Sequence, residues 1–196
     1  MEWLLAVLGF AVTMSITPGP NNIMVTASAA NFGVAPTMPH ILGISVGFPV
    51  MLVALGLGPG QVLIAYPQAH FALKLAGAAY LVFLAWKIAS ASGVREGEAK
   101  GRPLTFLQAA LFQWLNPKAW VIALGALTAY TTVGGAVVTE TLVIAAIFAP
   151  ICVVACAVWA VGGVALRRVL QAPTALRVFN IAMALLLLAT LVPMLR

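Results

Sequence analysis

The chain has 196 residues, of which 63% are hydrophobic and 7% charged, so apolar stretches able to cross about 30 Å of hydrocarbon recur along its whole length. This composition reads as an integral membrane protein and leaves no room for a soluble catalytic domain. Ten Lys and Arg stand against four Glu and no Asp, giving a net charge of +6. No basic cluster is interleaved with exposed aromatics, so a nucleic-acid partner is not indicated.

In chain order the apolar segments predict six spans: Trp3 to Ala30, Met38 to Ala65, Phe71 to Ser90, Thr105 to Thr128, Thr139 to Ala165 and Ala175 to Pro193. The first begins after Met1-Glu2, with no Lys or Arg before Lys74, which lacks the basic start of a signal peptide and reads as a mature span. Near its centre lies Thr17-Pro18-Gly19-Pro20-Asn21-Asn22. Proline inside a helix removes a hydrogen bond and clashes with the preceding turn, so this span is expected to break at the membrane midplane. In the second span Gly43 and Gly47 form a small-xxx-small pattern, read as packing without a specified partner, and Gly56, Gly58, Pro59 and Gly60 loosen its outer end. His40 and His70 fall at span ends on opposite sides and suggest neither a metal site nor a proton relay.

The long hydrophilic connection from Ala91 to Pro103 separates the third span from the fourth. In the fourth, Asn116-Pro117 marks a second break, with Asn116 placed to cap a helix that has Pro117 in its first position. Lys118 follows directly. A charge at bilayer depth costs about 2.5–3.5 kcal/mol on insertion scales, so an intramembrane lysine is a functional-site hypothesis by default. Trp3, Tyr66, Trp86 and Tyr130 lie near span ends, where an aromatic belt belongs.

Basic residues orient the chain. Lys87, Arg95, Lys100, Arg102, Arg167, Arg168 and Arg177 share one side in a six-span topology, while Lys74 and Arg196 fall on the other, so both termini are expected to be extracytoplasmic. The sequence also repeats weakly at an offset of about 100 residues. Thr17 to Pro20 answers Asn116-Pro117, Gly47-Phe48-Pro49 answers Phe148-Ala149-Pro150, and Leu73-Lys74 answers Leu176-Arg177. Three spans per half is an odd number, which predicts one transmembrane domain over 1–196, built of two inverted repeats, 1–90 and 105–196, around a cytoplasmic loop at 91–104.

Two spans broken at the midplane, entering from opposite sides, bring two positive helix ends together, and this makes an anion site. Lys118 adds a full charge. The candidate substrate-binding residues are Thr17, Pro18, Gly19, Pro20, Asn21, Asn22, Gln113, Asn116, Pro117 and Lys118. Ser15, Thr26 and Gln108 are read instead as helix glue. Cys152 and Cys156, four apart on the fifth span, permit an alternative of a different class, a membrane thiol-redox or electron-transfer protein, although thiols on one regular helix rarely reach disulfide geometry and buried cysteines serve mostly as small hydrophobes. A passive pore is a third reading, separable by an uncoupler.

The paired motifs Thr17-Pro18-Gly19-Pro20-Asn21-Asn22 and Asn116-Pro117-Lys118, with Gly77-Ala78-Ala79-Tyr80-Leu81 between them, resemble the signature of the LysE/RhtB family of amino-acid exporters. Ala85-Trp86-Lys87-Ile88-Ala89 and the run from Asn180 to Leu188 are similar to the branch that exports cysteine and O-acetylserine. The resemblance implies a secondary transporter of the bacterial inner membrane that is not an enzyme, needs no metal or other cofactor, expels small amino-acid-like substrates with protons as coupling ion, and forms a homodimer in lipid. One departure stands out: some relatives carry an acidic residue within the fifth span, where this chain has Val and Cys, so proton coupling lacks a carrier and a cationic substrate such as lysine lacks a counter-charge.

Overall fold

The computed structural model describes residues 1–58, 67–91, 101–132, 136–169 and 172–192. Pro59, Gly60, Tyr66, Pro193, Arg196 and most of the loop at 91–104 lie outside the described residues, as do the side chains of His70, Lys74 and Arg168. What is described is helical, with no strand among those residues.

The first expected span is two helices, α1 (Glu2–Ile16) and α2 (Pro20–Phe32), bent by 53° at a break over Thr17, Pro18 and Gly19. Pro18 and Pro20, with Gly19 between them, withhold two N–H groups two residues apart and crowd the preceding turn, and here the helix stops. The second is α3 (Val34–Gly56), which tolerates Pro39 and Pro49, and the third is α4 (Pro67–Ala89). The fourth is again broken: α5 (Phe106–Phe112) passes into a 3-10 turn (Gln113–Leu115) and, after Asn116, into α6 (Pro117–Tyr130). The fifth is α7 (Val137–Val169), 33 residues or about 50 Å long, and the sixth is α8 (Pro173–Ala189). By length and composition α3 and α7 each suffice to cross a membrane, and α1 with α2 makes a third span if the bent pair counts as one.

The bundle is organised around α2, where every residue from Asn22 to Asn31 is buried. Its polar groups are therefore all partnered, as burial requires. Thr26 Oγ1 donates to Asn22 O at 2.8 Å, Ser28 meets Thr37 at 3.0 Å, and Asn31 exchanges amide hydrogen bonds with Asn180 of α8 at 2.7 and 3.0 Å. Long α7 packs against α1, α2 and α3; α3 packs against α5 and α6; and α4 packs against α8. Gly43 and Gly47 let α3 lie directly on the α5 backbone, where a Cβ on Gly43 would overlap the Phe106 carbonyl and one on Gly47 would overlap Ala110. The small-residue pattern thus serves packing within the chain.

A small apolar cluster of Ala30, Leu176 and Phe179 joins α2 to α8, and two larger ones fill the bundle. One holds Val7, Phe48, Met51, Ala123, Phe148 and Cys152; the other holds Met24, Ile41, Ile44, Leu84, Phe112 and Cys156. The boundary between them crosses α3 between Ile44 and Phe48 and α7 between Cys152 and Cys156. Both helix breaks open at that level.

Candidate functional site

Each break is a local consequence of its sequence. At the second, Asn116 takes an extended conformation and its side-chain oxygen accepts from Lys118 N at 3.1 Å, with Pro117 in the first helical position. This is the N-cap expected from the sequence. At the first break the N-cap of α2 is Gly19, and Thr17 instead closes α1, its hydroxyl donating to Met14 O at 3.0 Å.

The carbonyls freed at the end of α1 find donors elsewhere in the molecule. Asn22 Nδ2 donates to Ser15 O at 2.9 Å and to Thr17 O at 2.7 Å, and Trp159 Nε1 of α7 donates to Ile16 O at 3.1 Å. Lys118 Nζ completes the set, donating to Thr17 O at 2.6 Å, to Thr17 Oγ1 at 2.8 Å and to Pro18 O at 3.3 Å. An ammonium has three N–H donors, and here three oxygens receive them. Lys118 therefore sits at the negative end of the α1 dipole, a setting that favours a cation and that offsets its unfavourable place in the first turn of its own helix. The sequence groups Thr17 and Pro18 with Lys118 at one site but does not reveal this direct bond across 101 residues.

Gly19 is what allows the approach. Its backbone is extended, a conformation open to any residue, but a Cβ there would lie 2.5 Å from Lys118 Cδ. A second link joins the breaks: Asn21 Nδ2 donates to Gln113 Oε1 at 2.8 Å and Gln113 Nε2 donates back to Asn21 Oδ1 at 3.3 Å, while Gln113 is fully buried and also donates to Ala109 O at 2.8 Å.

Beside these contacts lies a small, partly open cavity of about 50 Å³. Gly19, Asn21, Asn22, Asn116 and Lys118 line it, together with Ser15. Lys118 is the one charged side chain among its described walls. Thr17, Pro18, Pro20, Gln113 and Pro117 shape or brace the breaks without lining the cavity. Thr26 and Gln108 lie away from the cavity: the Thr26 hydroxyl bonds Asn22 O of its own helix at 2.8 Å and Trp159 O of α7 at 3.3 Å, and Gln108 forms a capping box with Thr105 at 3.1 and 3.3 Å.

The apolar wall escaped the sequence reading. Ile44 and Phe48 of α3, Ala119 and Ile122 of α6, and Phe148, Cys152, Ala155 and Cys156 of α7 close the cavity, and the Phe48 and Phe148 rings meet at 5.0 Å between centroids. Both thiols are free and buried, and Cys152 Sγ lies 3.9 Å from Ser15 Oγ. Both belong to the cavity wall. The matched phenylalanines, one in each half, were the available signal. No group of three or more metal-binding side chains occurs among the described residues.

The model of the LysE type translocator family matches residues 12–193. The chain belongs to that family. It is 31% identical over 180 residues to a cysteine/O-acetylserine efflux protein of Escherichia coli O139:H28, covering 91% of this chain and 90% of the relative. The proteins of that description from Escherichia coli K12 and Shigella flexneri are each 31% identical over 179 residues, with the same coverage. No solved structure matches. In this LysE-type translocator the matched region takes in both breaks and the cavity between them.

Proposed function

We propose that this chain is a secondary active exporter of amino acids or related small carboxylated metabolites across the bacterial inner membrane, driven by the proton-motive force. The observation that carries the reading is the Lys118 ammonium, which reaches from one broken helix to the carbonyls of the other at the edge of a cavity walled by amides and small apolar groups. The relatives' description as efflux proteins for cysteine and O-acetylserine points to the same substrate class.

A zwitterion suits this arrangement. Its carboxylate competes for the N–H groups of Lys118, with the charge-assisted strength such pairs have. The Thr17 and Pro18 carbonyls, covered by Lys118 and outside the cavity wall until it swings to the carboxylate, then accept from the substrate ammonium. Asn21, Asn22 and Asn116 contact the remainder, and a small neutral side chain rests on Phe48, Phe148 and Ile122. A cationic side chain meets no carboxylate in this wall, so small neutral substrates are favoured over basic ones.

Six spans in two inverted three-span repeats, with termini outside, remain our reading of the topology. Its support is the packing: α7 against α1 and α2 mirrors α3 against α5 and α6, while α3 with α7 and α4 with α8 pair corresponding elements of the two halves. Alternating access then follows from rocking one repeat against the other about the Lys118 and Asn21–Gln113 links. With no carboxylate in the cavity, Lys118 serves both binding and proton coupling.

Uptake of a panel of labelled amino acids into inverted vesicles, with and without a proton gradient, tests this. Accumulation of small neutral amino acids that collapses with an uncoupler is the expected result. Equilibration insensitive to the uncoupler indicates a passive pore and contradicts it.

A further inference from the structure

A second, roomier cavity lies one stretch of helix away from the first. Its volume is about 250 Å³, against about 50 Å³ at the breaks. Its walls are the later turns of α2, the start of α3, the end of α4 and the segment 101–104. Asn21 lines the first cavity, and Met24, Ser28 and Asn31, which follow it on the same face of α2, line the second. Seven residues separate Asn21 from Ser28, about 10 Å along the axis.

The polar chemistry of this cavity is unspent. His40 is 1% exposed, and neither ring nitrogen has a hydrogen-bond partner among the described residues. A buried polar group left so is rare and calls for a partner, a water or a ligand. Lys87 and Arg102 line the same space, near enough for their charges to act on one another and for Lys87 to act on the His40 ring. The described carboxylates, Glu2 and Glu140, are elsewhere: Glu2 opens α1 and Glu140 bonds Thr132 at 2.8 and 3.0 Å. Ser28 offers the opposite polarity. Thr37 Oγ1 donates to Gly33 O at 2.8 Å, so the proton in the Ser28–Thr37 contact comes from Ser28, leaving its oxygen free to accept. Asn31, by contrast, is saturated by Ala27 O and Asn180.

We propose that this cavity is a second binding site for the carboxylate of a small amino acid, received by Lys87, Arg102 and His40 before the molecule passes along α2 to the break. It is the entry site on the side that carries the basic loops. The proposal rests on the export reading for the identity of its ligand, but it concerns residues outside the Lys118 cavity, so the two fail separately.

The test is binding of O-acetyl-L-serine, with acetate as the bare carboxylate, to purified full-length protein by ligand-dependent thermal shift. The break site is silenced by Lys118→Ala, or by Lys118→Gln if the alanine protein does not fold. Saturable binding that persists in that background and weakens at least about tenfold on adding Arg102→Gln or His40→Asn is expected. Arg102 is exposed, so its replacement leaves the packing alone. No binding of either probe in the Lys118 variant, or binding indifferent to both further substitutions, overturns the proposal. So does stabilisation by phosphatidylglycerol that needs Arg102 while the amino acid has no effect, because the cavity then holds a lipid headgroup. Loss of transport by the wild type would bear on the export reading and leave this binding result to be read on its own.

Discussion

The two helix breaks solve one problem in opposite ways. The second closes on itself: Asn116 caps Lys118 N, Gln113 folds back to Ala109 O, and Trp120 Nε1 donates to Trp114 O at 2.8 Å. The first depends in part on the rest of the molecule. Its carbonyls are met by Asn22 from the next helix, Trp159 from α7 and Lys118 from the second break. A break whose own residues cap its backbone depends less on its neighbours, whereas one capped from outside changes when those contacts change. In the proposed exporter the second break is then the fixed platform and the first the element whose geometry a substrate alters.

That contrast can be broken at several points. Replacing Asn22 by Leu should have the largest effect on folding, roughly 2–4 kcal/mol, because the Ser15 carbonyl loses its donor at a depth where water does not replace it; thermal unfolding in detergent checks this. Gly19→Ala should leave the helices intact by circular dichroism yet cut efflux sharply, since the new methyl displaces the Lys118 stem. Normal efflux by that variant would show that Lys118 need not lie against the first break. Trp159→Phe keeps the ring and removes one donor, for an expected loss of about 1–3 kcal/mol and faster hydrogen exchange confined to the end of α1. Asn116→Ala, at the self-capped break, should cost about 1 kcal/mol, the ordinary value of an N-cap. Replacing Cys152 and Cys156 together by Ala should leave efflux standing, and its abolition would bring the thiol reading back.

How much was legible follows the same division. Features set by neighbours in sequence were readable: both breaks, the Asn116 cap, and the start of α2 at Pro20, because proline and capping chemistry act within a few residues. The long-range partners were not. Trp159 and Ile16 are 143 residues apart, and spans that are apolar all round carry no periodicity to say which face turns inward. His40 illustrates the cost, since a position near a span end hid a side chain that is in fact buried. Cys152 and Cys156 read as packing residues for sound reasons, yet their packing forms the wall of the site.

The central claim is that Lys118 exchanges the carbonyls of the first break for a substrate carboxylate. Its most direct test is proton-gradient-dependent uptake of O-acetyl-L-serine and cysteine into inverted vesicles carrying equal amounts of wild type, Lys118→Arg and Lys118→Ala. The expected result is full uptake by the wild type, partial uptake by the arginine protein and background uptake by the alanine protein. Wild-type uptake by Lys118→Ala would contradict the account.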